Sequence, residues 1–81
     1  MITKETTVSE LLNMAIEASK HVTKEDKPWV VRDLFIGYEW NRIPVGNRTK
    51  LGGQFYTHVE KNKDIKAIGK TAQNQQQYQK I

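Results

Sequence analysis

Pro44-Val45-Gly46-Asn47-Arg48-Thr49-Lys50-Leu51-Gly52-Gly53-Gln54-Phe55-Tyr56-Thr57-His58-Val59-Glu60-Lys61 reads as one long helix, around which the other elements can be placed. Proline suits the first turn of a helix, where its missing amide would have no partner anyway. Leu51, Phe55 and Val59 recur at i, i+4 and i+8, the spacing of one buried stripe, with Arg48, Gly52 and Tyr56 beside them. Asn47, Lys50, Gln54, His58 and Lys61 fall at steps of three and four on another face. Such a polar, basic stripe is what a helix presented to DNA would show. Gly52 and Gly53 each lower helicity by roughly 1 kcal/mol. At least one is therefore expected to let another backbone approach closely.

Downstream, Ile65-Lys66-Ala67-Ile68-Gly69-Lys70 and Gln77-Tyr78-Gln79-Lys80-Ile81 read as two strands around a polar loop, Thr71–Gln76. Simple alternation places Lys66, Ile68 and Lys70 on one face of the first strand. Upstream, residues 1–6 are polar and expected to fray. Thr7-Val8-Ser9-Glu10 reads as a capping box that opens a helix over about residues 8–22, with Leu11, Leu12, Ala15 and Ile16 on its apolar face. Trp29-Val30-Val31 is long enough for one brief strand. Arg32–Ile36 reads as a short helix ended by Gly37, and 38–42 as a connecting segment. The order is helix, short strand, helix, helix, two-stranded wing. That is an α+β winged helix-turn-helix, as one domain over residues 1–81.

Charge divides along the same line. Residues 1–40 hold five Lys/Arg against seven Asp/Glu, and residues 41–81 hold eight against two. The excess positive charge thus lies on the third helix and the wing, the two elements that share one side of such a fold. A basic surface carrying amides and aromatics suits a phosphate backbone with stackable bases.

The totals exclude much else. An 81-residue chain buries only about 60–65% of its unfolded surface, too little for a deep catalytic cavity. It has no cysteine, so disulfides, thiolate zinc and thiol catalysis are ruled out. No apolar run approaches the ~18 residues of a membrane span, and no signal peptide is evident, so a cytoplasmic location without membrane association is expected. His21 and His58 lack a third ligand at metal spacing. Glu39, Glu60 and Asp64 form no evident acid-base pair, and Gly52-Gly53 lacks the lysine and hydroxyl of a phosphate loop. The expectation is a protein that is not an enzyme and carries no cofactor or metal.

Two stretches are distinctive: Leu34-Phe35-Ile36-Gly37-Tyr38-Glu39-Trp40-Asn41-Arg42-Ile43, and Gly46-Asn47-Arg48-Thr49-Lys50-Leu51-Gly52 with Phe55. With Gly69-Lys70-Thr71 and Asn74-Gln75-Gln76-Gln77-Tyr78, they resemble a small family over about residues 29–80. It comprises winged-helix single-stranded-DNA-binding proteins of Gram-positive mobile elements, such as staphylococcal cassette chromosomes; many members are known only as domains of unknown function. The resemblance implies a winged helix that binds single strands with little sequence preference, near replication or transfer genes of plasmids, phages or integrative elements.

The candidate nucleic-acid contacts are Arg42, Asn47, Arg48, Lys50, Gln54 and Lys61 on or before the third helix, and Lys66, Lys70, Gln73, Asn74 and Gln75 on the wing. Their bland alternatives are a solvated helix face and a floppy polar hairpin tip. Arg48 could instead clamp Glu39 or Asp33. Tyr38, Trp40 and Tyr78 are the stacking candidates, against the alternative that each plugs the core edge; Trp29 and Phe55 read as core. The expected partner is single-stranded DNA, with RNA and duplex DNA open, together with replication or transfer proteins. Two rival readings keep the same surface: a duplex-binding regulator, and a phage or plasmid interaction module such as a host-nuclease inhibitor. Oligomeric state stays open, since a 9.4 kDa coating protein could assemble along its strand.

Overall fold

The computed structural model describes residues 2–81. Helix α1 spans Val8–Ser19 and opens on the expected capping box. The Glu10 amide donates to the Thr7 hydroxyl at 3.1 Å, and the Thr7 amide donates to the Glu10 carboxylate at 3.1 Å. Those bonds from Thr7 hold the Glu10 carboxyl below the usual carboxylate range. The helix ends three residues earlier than its apolar spacing suggests. Val22 still packs on the core, but from a turn.

Trp29 forms the expected short strand as a single antiparallel bridge to Tyr78. The Trp29 amide donates to the Tyr78 carbonyl at 3.0 Å, and the Tyr78 amide donates back at 2.7 Å. Val31–Leu34 is one 3-10 turn, capped by Asp33 on the Val30 amide. Gly37 does not end a helix; it begins one, α2 over Gly37–Trp40, and 38–42 is mostly helical. Phe35 breaks the preceding turn by taking an extended conformation, which brings its ring to 5.6 Å from Trp40. A single turn is too short to show a period, so side-chain packing decides it. Pro44 stands one place before the helix, as N-cap of α3 over Val45–Glu60. Strands β1, Ile65–Lys70, and β2, Gln76–Lys80, form the antiparallel wing. The layout is the winged helix expected: an α+β domain with three helices and a two-stranded sheet.

Two buried clusters join under α3. One holds Ala15, Trp29, Phe55, Val59, Ile65 and Tyr78. The other holds Ile2, Leu11, Ile43 and Leu51, and Leu12, Val31 and Phe35 touch both. Ile2 is fully buried, and its carbonyl accepts from the Arg42 guanidinium at 3.2 Å. The expectation of a frayed start therefore fails from residue 2 onward: an apolar side chain under two helices outweighs the polarity of its neighbours.

Tyr78 is 1% exposed, with its ring 5.1 Å from Phe55 and 5.4 Å from Trp29. It is a core residue, which corrects its reading as a stacking platform. Burial pushes its phenol up to about 12, and the neighbouring Tyr56 phenol adds to the effect. A phenol raised in the folded state contributes stability below the unfolded value near 10, which is lost as pH rises through the folded value. Urea unfolding between pH about 10 and about 12 should thus show stability falling in the wild type. The slope should be flatter in Tyr78→Phe, and equal slopes would assign the alkaline loss to other groups.

Candidate nucleic-acid interface

The wing is shaped by one irregularity. Pairing runs Ala67↔Tyr78 and then Gly69↔Gln77, so Ile68 is an extra residue bulged out of β1. Gly69 takes φ +143°, a conformation that side chains other than glycine rarely adopt. An inserted residue moves every later side chain to the opposite face. Lys70 is therefore paired with Gln76, on the Tyr78 side of the sheet, while Lys66 is paired with Gln79 on the other. The expectation that Lys66 and Lys70 share a face is overturned by this bulge. The wing tip is a hydrogen-bonded turn. Thr71 accepts the Gln73 and Gln75 amides on its hydroxyl at 3.2 Å each, and Asn74 turns the chain with φ +66°.

Between this face of the wing and α3 lies an open groove of about 770 Å³. Arg48, Thr49, Gly52, Gly53 and Tyr56 line its α3 side, and Lys70, Asn74, Gln75 and Gln76 its wing side. Val30, Val31, Arg32, Trp40 and Tyr78 complete its lining. Three cations, two partly exposed aromatics and three amides thus converge without one carboxylate. The volume lies within the roughly 300–1,000 Å³ of ordinary ligand sites.

A second, shallower groove of about 620 Å³ lies on the other flank of α3, toward α1. It is lined by Leu12, Lys50, Gly53, Gln54, Thr57, His58 and Lys61. The candidate residues are accordingly divided. Arg48, Lys70, Asn74 and Gln75 meet in the wing-side groove with Trp40, whereas Lys50, Gln54 and Lys61 meet in the α1-side groove. Asn47, Gln73 and Lys66 line neither. Tyr38 and Arg42 stack on each other at 5.1 Å on α2 and its following turn, also outside both grooves. Arg32, Tyr56 and Gln76 join the site without having been singled out. Only the neighbourhood of Tyr56 to Gly52 on one helix face hinted at this, because nothing local brings residue 32 near residue 70.

Among the described residues the one ion pair is Lys20–Glu17, so Arg32, Arg48, Lys50, Lys61 and Lys70 have no carboxylate partner. Arg48 pairs with neither Glu39 nor Asp33. Its guanidinium lies 5.4 Å from the Trp40 ring and donates to the Trp40 carbonyl at 3.2 Å, while its Nε is buried without a hydrogen-bond partner. The positive charge of Arg48 is therefore anchored at the groove by an aromatic face and left unneutralised.

The chain belongs to the family described as Domain of unknown function (DUF1413), whose profile matches residues 14–80, from the middle of α1 to the end of the wing. No curated protein and no solved structure matches it. No helix among the described residues is long and apolar enough to cross a membrane.

Arg48 and Lys50 separate by what holds them. Arg48→Ala should cost about 1–2 kcal/mol of stability through the lost carbonyl bond and ring contact. Lys50→Ala, on an exposed position without partners, should stay within about 0.5 kcal/mol of wild type in the same urea titration.

Proposed function

We propose that this protein is a non-enzymatic, largely sequence-independent single-stranded-DNA-binding protein of a mobile genetic element, acting in replication or transfer. The observation that carries the reading is the wing-side groove, where Arg32, Arg48 and Lys70 stand unpaired beside Trp40, Tyr56 and the wing amides. Cations hold phosphates whatever the sequence, and each base stacked on an aromatic contributes about 1–3 kcal/mol regardless of identity. Asn74, Gln75 and Gln76 can donate to phosphates or accept from base edges. The setting in a mobile element rests on the resemblance carried by Leu34–Ile43 and Gly46–Gly52.

Single strands are favoured over duplex by what α3 offers outward. Its exposed positions include Gly46, Thr49, Gly53 and Thr57. Both threonine hydroxyls are already engaged, on the Val45 and Gly53 carbonyls. Major-groove reading relies on arginine, asparagine or glutamine reaching base edges; Arg48, the one arginine of α3, is turned to Trp40, Gln54 lies on the flank toward α1, and Asn47 is half-buried in the first turn. The helix is better built to be lain upon than to probe.

Fluorescence anisotropy of a labelled oligonucleotide, single-stranded and then annealed, tests this. Neutralising about four phosphates gives a log–log salt slope near −3 for a single strand. Lys70→Ala should weaken binding and reduce that slope by about 0.7. Tighter binding to the annealed duplex would point to a regulator instead. Absent or salt-insensitive binding would point to a protein-interaction module.

A further inference from the structure

Gly53 is the one residue, among those described, that lines both grooves. It is exposed in the middle of a 16-residue helix, where glycine costs roughly 1 kcal/mol relative to alanine. Packing does not demand it: the close backbone approach expected at Gly52-Gly53 is absent, since a Cβ at either would meet nothing within 4 Å. The flanks of the helix are walled by long side chains, Tyr56 on the wing side and Lys50 and Gln54 on the α1 side. At Gly53 that wall drops to bare backbone. Unpaired cations wait at both ends of the gap: Arg32, Arg48 and Lys70 on one side, Lys50 and Lys61 on the other.

From this we infer that the bound strand crosses α3 over Gly53, running from the wing-side groove to the α1-side groove. The inference rests on the single-strand reading above and adds its path. A helix with its side chains is about 10–12 Å across, and a strand advances about 3.4 Å per nucleotide at duplex rise. The crossing therefore takes about three nucleotides, after which phosphates reach Lys50 and Lys61. The two grooves act as linked half-sites: a strand long enough to enter both gains affinity from the second without any new surface. Two lysines on the α1 flank, which a site confined to the wing would leave idle, acquire a role.

The test is anisotropy with labelled oligothymidylates of about 4, 6, 9 and 12 nucleotides, within the range of known single-strand site sizes. In the wild type, affinity should rise steeply once the strand is long enough to cross. Gly53→Gln, which fills the gap, should abolish that rise, lowering affinity for the longest oligonucleotide about tenfold; Gly53→Ala should do so more weakly. Both replacements raise helix propensity, so melting temperatures at or above wild type would exclude misfolding as the cause. The Lys50→Ala/Lys61→Ala pair should also remove the rise, and combining it with Gly53→Gln should add nothing further, since the strand no longer reaches the lysines. Wild-type length dependence in Gly53→Gln, or additive losses in the combined variant, would overturn the crossing while leaving single-strand binding intact. A wild-type protein that binds none of the oligonucleotides would overturn both readings.

Discussion

The packing of Trp29, Phe55 and Tyr78 ties the short strand, the long helix and the wing into one core. The three rings meet at centroid distances of 5.1–6.1 Å. Two backbone hydrogen bonds between Trp29 and Tyr78 reinforce the ring contacts. A two-stranded hairpin is marginal by itself in water. Here its central tyrosine is pressed into the core, so the wing stands at a set distance from α3. The groove between them exists because of that docking. A domain this small cannot enclose a deep cavity, so its site forms in the seam between elements.

Two local devices then aim charge into the seam. The bulge at Ile68-Gly69 turns Lys70 inward and leaves Lys66 outward, at the expense of regular pairing at one position. The Trp40 carbonyl and ring hold Arg48, which would otherwise be free to swing to a carboxylate. The groove is cationic because neither device supplies a counterion. Unpaired charges of one sign repel each other and oppose compaction, while the potential they create draws anions into a low-dielectric cleft. The arrangement concentrates positive potential in the seam at some cost to the stability of the free protein.

The helix-turn-helix is usually read as a probe, its last helix inserted between the walls of a duplex groove. In this molecule α3 is itself the wall between two grooves. Its outward residues are small, its long polar side chains stand on the flanks, and its ridge is lowest at a glycine that packing does not require. The same order of elements thus carries a low saddle on its long helix where a probing ridge is usual. That difference comes from the distribution of side-chain size along one helix, not from any change in topology.

Elements that rest on local rules are legible in the order of residues alone. The Thr7–Glu10 cap, the Leu51/Phe55/Val59 stripe, the proline before α3 and the hairpin are all decided by neighbours within a turn or two. Charge segregation is a sum over residues and needs no coordinates. Tertiary structure decided what those rules cannot reach. Ile2 is buried because α1 and α3 close over it, and Tyr78 is core because Trp29 and Phe55 arrive from elsewhere in the chain. Gly37 starts a helix because Phe35 turns inward to pack. Lys70 faces the groove because one bulged residue reverses the strand's parity, and Arg32 joins it across 38 positions of sequence. Side-chain facing in a strand has period two, so a single unforeseen insertion inverts every later assignment; in an uninterrupted helix the Leu51/Phe55/Val59 spacing fixes one buried stripe. The buried face of the long helix was therefore readable residue by residue, and the wing was readable only as an element.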